Sequence, residues 1–427
     1  MRSGSVRSGL RYAVRRAGNA VAYCALHVRC GTRNEAGFHG GIAHFIEHTL
    51  FKGTRRHTAG WISSRLDRLG GELNAYTTKE EIVLHATVLK EDLDKALSLL
   101  WELATEATFP EAEIETERGV IIDEIISYKD NPAEDIYDCF DEKLFKGHAL
   151  GGRILGTRAS VRKITSEELR RFYQRFFTPE NMALTVVADL DEAVLERRVV
   201  KVAGDSRHKA GNDGRVTGND GERTGNDKGE AGNDGRGKGA VQVQVFSERL
   251  NKRNHEVNAI IGGPAPSLYE ERDRITTVLL MNLLGGPASN SILGSILREK
   301  NGWVYSVECS YTQYSDTGLF TIAFGCDKPN LEKCIAVIGR ELDRLRTQPL
   351  SETRLRAARK QLLGQLAIAS DNGEAQCLAM GKSLLTFGRT FTFEEDKAAV
   401  EAITAADLQE MSRRLFGTGT LSTLIFD

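Results

Sequence analysis

Residues 86–100 read ATVLKEDLDKALSLL, and residues 324–338 read FGCDKPNLEKCIAVI. Each starts as the apolar end of a strand, passes a polar turn and continues as an amphipathic helix, with apolar residues three and four apart. The two stretches are related by an offset of 238. A second correspondence, at an offset of 239, joins Ile164-Thr165, Leu169 and Phe177 to Ile403-Thr404, Leu408 and Phe416. Two matches at nearly one offset predict a duplicated unit of α+β class. Each copy is expected to hold strands of alternating pattern, such as Glu81 to Val88 and Tyr305 to Phe324. Its helices are expected on one face of a mainly antiparallel sheet.

Between the copies the triplet Gly-Asn-Asp recurs at Gly211, Gly218, Gly225 and Gly232, a period of seven. These heptads have no apolar seam for a coiled coil and lack the apolar position of nonapeptide calcium repeats. They predict a flexible linker over 204–240, with a root-mean-square span of about 33 Å. The division expected is residues 1–203, this linker and residues 241–427, the halves meeting only across a cleft.

Hydrophobic residues at 41% and charged residues at 27% place the 427-residue chain among soluble globular proteins of two or three domains. The 57 Lys+Arg nearly cancel the 59 Asp+Glu, so nothing marks a nucleic-acid partner. No apolar run is long enough to span a bilayer, and no membrane association is expected. Near the basic N-terminus, Leu10, Tyr12 and Val14 alternate with arginines and Val21 to Val28 alternates again, which predicts a β-hairpin and not a secretory signal. The seven cysteines contain no CxxC pair, which fits reduced thiols and a cytoplasmic location.

The chemistry centres on His44-Phe45-Ile46-Glu47-His48. On a helix, residues four apart share a face, so His44 and His48 could hold one Zn²⁺ between two imidazoles. Glu47 lies on the adjoining stripe, within reach of a water in the metal's open position. This spacing arises by chance in roughly one or two chains per hundred of this length, so a third ligand is needed to give it weight. Residues 110–126, PEAEIETERGVIIDEII, read as a helix on which Glu117 and Glu124 share a face, with Val120 and Ile121 packing inward between them. A carboxylate among such apolar neighbours is costly without a cation. Glu111, Glu113 and Glu115 read as a solvated face. The remaining histidines are isolated and read as structural, and no cysteine lies in a nucleophile signature.

The segment GGIAHFIEHTLFKGT at 40–54, followed by GGELNAYT at 70–77, resembles the inverzincin zinc metallopeptidases related to pitrilysin and the mitochondrial processing peptidase, in the manner of single-chain bacterial members. Thr49, where that family often has Met, is expected to matter only for packing. The resemblance implies one Zn²⁺ per chain held by His44, His48 and Glu124. It also implies Glu47 as general base and Glu117 supporting catalysis from just outside the metal. Arg298 and Tyr305 resemble the pair that contacts substrate from the second half, although a solvated charge and a core aromatic would look the same. Asn74, Ala75 and Tyr76 resemble the strand edge to which an extended peptide adds.

The expected protein is thus a zinc endopeptidase that hydrolyses extended or unfolded peptides inside a chamber closed like a clamshell, and it is expected to be a homodimer. The alternative is a non-catalytic or partner-dependent core subunit of a processing-peptidase-like complex. In the second half, Asn282, Gly286, Ala358 and Gln365 stand at the positions equivalent to His44, His48, Glu117 and Glu124, so that half cannot bind the metal.

Overall fold

The computed structural model describes residues 1–204, 241–252 and 255–427. The linker expected at 204–240, with its Gly-Asn-Asp repeats, lies outside the described residues apart from Gly204. The first half contributes β1 (Arg2–Ser5), β2 (Arg11–Arg16), β3 (Val21–Val28), β4 (Glu72–Thr77), β5 (Ile82–Leu89) and β6 (Met182–Ala188). Its helices are α1 (Ile42–Leu50), α2 (Ala59–Asp67), α3 (Leu93–Glu106), α4 (Glu111–Lys129), α5 (Pro132–Leu144), α6 (Arg158–Val161), α7 (Ser166–Phe176) and α8 (Glu192–Gly204). The second half contributes β7 (Ser247–Leu250), β8 (Val257–Ala265), β9 (Val304–Gln313), β10 (Gly318–Cys326) and β11 (Ser422–Phe426). With them come α9 (Glu271–Gly285), α10 (Leu331–Thr347), α11 (Glu352–Asp371), α12 (Gly373–Phe387), α13 (Phe393–Glu401) and α14 (Ala405–Leu415). No helix among the described residues is long and apolar enough to cross a membrane.

The sheet orders are β1-β2-β6-β3-β5-β4 and β7-β11-β8-β10-β9. Without β1 they superimpose strand for strand, and in each the sole parallel pairing among the described strands joins the equivalent neighbours, β2 with β6 and β7 with β11. Helix α3 begins at Leu93 and α10 at Leu331, while α7 runs from Ser166 to Phe176 and α14 from Ala405 to Leu415. These starts repeat the offsets of 238 and 239 read between the two copies, so the spacing in the sequence is the spacing of the fold.

Two local expectations change. β2 and β3 are not a hairpin, because β6 lies between them. All seven residues of β6, MALTVVA, are buried, and a strand apolar on both faces belongs in the middle of a sheet. β2 instead forms its hairpin with β1. The long alternation from Tyr305 to Phe324 is broken at 314–317 into the hairpin β9–β10.

Each sheet carries helices of its own half on one face. In the first half these are α1 to α4, α7 and α8, and in the second α9 to α11, α13 and α14. The other faces are also apolar, and each is covered by one helix from the opposite half. Cys377, Met380, Leu384 and Leu385 of α12 pack on Ala13, Ala25, Val83, Ala183 and Val187 of the first sheet. Ile136, Phe140 and Leu144 of α5 pack on Ile260, Leu424 and Phe426 of the second. The halves therefore do not meet only across a cleft. They exchange equivalent helices, since α5 and α12 each directly follow the long helix of their repeat.

The exchanged contacts are close because each has a glycine. A Cβ on Gly381 of α12 would stand 2.1 Å from Cδ2 of the buried His27 in β3. On the second sheet, a Cβ on Gly262 would stand 3.2 Å from the Phe140 ring of α5.

These distances predict the sign of a substitution. In an open helix interior Gly→Ala stabilises by about 1 kcal/mol. Gly339 of α10 has nothing within 4 Å of such a Cβ, and Gly339→Ala should raise the melting temperature. Gly381→Ala should lower it, overpacking costing about 1–3 kcal/mol. Parallel thermal melts of the two variants check this, and a stabilised Gly381→Ala would mean that α12 is not seated on the first sheet.

Candidate active site

Helix α1 is capped by Gly41, whose φ of 90° is left-handed and whose Cβ would lie 2.7 Å from the Leu155 carbonyl oxygen, so only glycine fits. The Glu35 carboxylate accepts the amides of Gly41 and Ala43 at 3.0 Å each and closes the helix N-terminus. Burial pushes Glu35 up to about 7. Ile42, Ala43, Phe45, Ile46 and Leu50 anchor α1 in the first core, and α4 packs beside it. Thr49 is buried with its hydroxyl on the Phe45 carbonyl, a packing role as expected.

The packing of α4 against α1 brings Glu124 to the two histidines. Their ring centroids are 4.6 Å apart. The Nε2 atoms of His44 and His48 lie 3.8 and 3.5 Å from Glu124 Oε2, and the three ligand atoms fall within 4.8 Å of one another. These separations are too long for hydrogen bonds. They approach the edge of a zinc tetrahedron, about 3.3 Å for bonds of about 2.0–2.1 Å. Glu124 Oε2 is moreover buried and without a hydrogen-bond partner, and a cation held between this carboxylate oxygen and the two imidazole nitrogens would satisfy it. No other such group of His, Cys, Asp and Glu occurs among the described residues. The residues fit a zinc ion.

The electrostatics suit ligation. Burial, then the neighbouring His48, lowers His44 to about 4, so its ring is neutral at physiological pH. For His48 burial pulls downward, but the facing carboxylates of Glu124 and Glu117 outweigh it and its pKa is raised. Glu124 is held low by the facing His48, against its own burial. Glu117 Oε2 lies 3.1 Å from His48 Nδ1, which places the ring proton on Nδ1 and frees Nε2 for a metal. Lys52 Nζ, 2.7 Å from Glu117 Oε1, supports that carboxylate in turn. Glu47 is not in the ligand set. Burial raises its pKa despite a 2.6 Å hydrogen bond donated by Thr77, the last residue of β4.

Lys52, Thr77 and Glu35 carry no role that the sequence alone assigns. Lys52 follows His48 by four residues and so shares its face, a readable signal; Thr77 and Glu35 reach the site only through the fold. Val120 does not pack inward with Ile121 but is 47% exposed, because successive helical residues point about 100° apart.

Strand β4 is the sheet edge nearest α1, and among the described residues it pairs only with β5. Leu73 and Ala75 pack into the core shared with α1, whereas Tyr76 turns to the opposite face, onto the cluster under α12. Asn74, Ala75 and Tyr76 thus lie on the strand whose last residue, Thr77, bonds to Glu47, and the Tyr76 ring faces away from the site. Arg298, in the π-helical turn Gly294–Lys300, pairs with Glu299, and Tyr305, 63% exposed at the start of β9, donates to Asp327 at 2.9 Å. Among the described residues neither bonds to the histidine–glutamate group. His27, His39, His57 and His85 each face a carboxylate outside that group.

In the second half the equivalents of His44 and Glu124 still face each other, as Asn282 and Gln365, but here a 2.6 Å hydrogen bond joins two neutral amides. The duplicated geometry survives without metal chemistry.

The sequence matches two family descriptions, insulinase (peptidase family M16) over residues 11–158 and peptidase M16 inactive domain over residues 163–362. The chain belongs to peptidase family M16. The inactive-domain match falls largely on the half with the Asn282–Gln365 pair. A relative named an uncharacterized zinc protease in Streptomyces coelicolor is 28% identical over 387 residues, covering 91% of this chain and 81% of its own. Another of that description, in Rickettsia bellii, is 28% identical over 407 residues, covering 95% and 92%. The M16 fold is also that of a protease from Helicobacter pylori, with a TM-score of 0.84 at 18% identity over 100% of this chain and 99% of that one. A Pseudomonas fluorescens structure described as a peptidase M16 inactive domain gives 0.83 at 16% identity, covering 100% and 97%.

Zinc affinity, read by chelator competition, should fall about 10–100-fold in Glu117→Gln, the usual loss when the partner of a ligating histidine goes. In the native protein it should rise with pH through neutrality, because His48, raised above its ordinary value, must shed a proton to bind. A flat profile would exclude His48 as a ligand.

Proposed function

We propose that the chain is a zinc metalloendopeptidase acting on extended or unfolded peptides, with one Zn²⁺ held by His44, His48 and Glu124. The observation that carries this reading is the buried, partnerless Glu124 Oε2 set between two imidazole Nε2 atoms, with a separate carboxylate, Glu47, alongside. When bound, the metal would supply Lewis acidity, polarising the scissile carbonyl and acidifying a water.

The chain's own residues do the rest. The free edge of β4 holds the peptide backbone by main-chain hydrogen bonds. Thr77 occupies Glu47 Oε2, leaving Oε1 to take the proton of the attacking water, and the raised pKa brings this base closer to neutral operation. The same carboxyl then delivers the proton to the leaving amine. Glu117, backed by Lys52, keeps the His48 ring in the ligating tautomer.

This reading takes the partner-dependent alternative over one self-sufficient chain, with a homodimer completing the site. Arg298 and Tyr305 are engaged by Glu299 in the π-helical turn and by Asp327 just after β10, and the exchanged helices tie the halves of one chain together, so the pair would act on peptide bound at a second copy. The seven free cysteines fit a cytoplasmic location.

Purified protein should contain zinc, and Glu47→Gln should retain it while hydrolysis of an unstructured peptide library falls by at least about a hundredfold. Loss of zinc from Glu47→Gln together with full retention in Glu124→Gln would reverse the ligand assignment. Tyr305→Phe should slow turnover by up to about a hundredfold with zinc content unchanged. Mixing Glu47→Gln with Tyr305→Phe protein under subunit exchange should restore activity above that of either variant alone. No recovery, despite proven exchange, would place all catalytic groups within one chain.

A further inference from the structure

Apart from the helix α12 seated under the first sheet, the metal-free half reaches the frame of the site through a hairpin tip. The tip of the β4–β5 hairpin, residues 78–81, meets the tip of its counterpart β9–β10, residues 314–317, with the loop before α1 wedged against them. The amides of Thr32 and Arg33 donate to the carbonyls of Thr78 and Lys79 at 3.2 and 2.8 Å. A Cβ on Gly31 would lie 2.3 Å from the Thr78 carbonyl oxygen, so loop and tip are in direct backbone contact.

Into this junction Arg33 extends its guanidinium. One terminal nitrogen donates to Glu80 at 2.7 Å, Ser315 Oγ at 3.2 Å and Asp316 Oδ1 at 2.8 Å, while the other donates to Asp316 Oδ2. Glu80 in return accepts the Ser315 amide at 3.0 Å and its hydroxyl at 2.7 Å. The Arg33 and Asp316 side chains are 11% and 13% exposed, so solvent screens the pair little.

Two short chain segments lead from this knot into the site. Two residues beyond Arg33, Glu35 closes the N-terminus of the helix that carries His44, Glu47 and His48. Three residues before Glu80, Thr77 fixes the Glu47 carboxylate. Both leads start from groups that Ser315 and Asp316 hold together. We infer that Ser315 and Asp316 of the metal-free half are positioning residues for the active site of the other half, setting α1 through Arg33 and Glu35 and setting Glu47 through Glu80 and Thr77. The inference rests on the peptidase reading for its catalytic part alone. A plain staple between the halves would use the same bonds for stability only.

The experiment uses the full chain with Asp316→Ala, and with Ser315→Ala should the former not fold. Cobalt(II) and zinc affinities by chelator competition, kcat and KM on an unstructured peptide, and the melting temperature are read for each. Metal affinity and kcat should both fall about tenfold, the low end for partners outside the ligand set, with KM within about twofold of the native value. Asp316→Glu should recover part of both. Metal affinity and kcat within about twofold of native, alongside a lowered melting temperature, would reduce the knot to a staple and overturn the inference. If the native protein cleaves no peptide, the peptidase reading fails by itself. The metal arm still decides this inference: weakened cobalt and zinc binding in Asp316→Ala supports it, and native affinity overturns it.

Discussion

Both sheets of this protein are apolar on both faces, and that constraint organises the rest. A sheet with one solvated face could close over its own helices and stand as a separate domain. Here the strands at the centre of each sheet bury side chains above and below, so each half leaves an apolar face that its own helices do not cover. The repeat solves both problems with one element: the helix after the long helix of each half crosses to the other sheet. Duplication makes the exchange reciprocal. Glycines at Gly381 and Gly262 let backbone and ring approach closely, with the notch in the helix on one side and in the strand on the other.

The same frame is built in both halves, yet among the described residues only one of them presents a group fit for a metal. The long helix α4 is held by its neighbours at the height where Glu124 meets His44 and His48, and the equivalent α11 brings Gln365 to Asn282 by the same packing. Backbone geometry is shared, and the side chains alone decide whether the pair needs a cation. Two amides satisfy each other. Two imidazoles and a carboxylate at separations beyond hydrogen bonding do not, and the orphaned oxygen is the structural trace of that difference. Around it the charges alternate outward, from His48 to Glu117 to Lys52, so the buried Glu117 carboxylate is opposed on both sides.

Within peptidase family M16 this chain therefore divides its labour unevenly. The first half carries the residues proposed as ligands and base, and the second contributes the hairpin tip joined to Arg33 and Glu80 and the exposed Tyr305. The raised pKa of Glu47 follows from burial, the lowered pKa of His44 from burial beside another histidine, and both shifts favour the roles that the two groups would take at neutral pH.

Much of this is legible in the chain. The duplication shows as two matches at one offset because helices α3 and α10, and α7 and α14, keep equal separations in sequence and space. The ligand set is legible because helical periodicity puts His44 and His48 on one face, and the silence of the second half is legible in Asn282 and Gln365. What the sequence cannot decide is which strand lies beside which, or what covers a second apolar face. Alternation in β2 and β3 suggests a hairpin, yet β6, reached only at Met182 after the nine helices and strands from α1 to α7, separates them. Periodicity reports which residues want burial and says nothing about the partner that buries them. The same limit hides Thr77 and Arg33. A hydrogen bond from Thr77 to Glu47, or an arginine near the N-terminus joined to Asp316 in the other half, leaves no local pattern, because only the closed tertiary structure brings those groups within bonding distance.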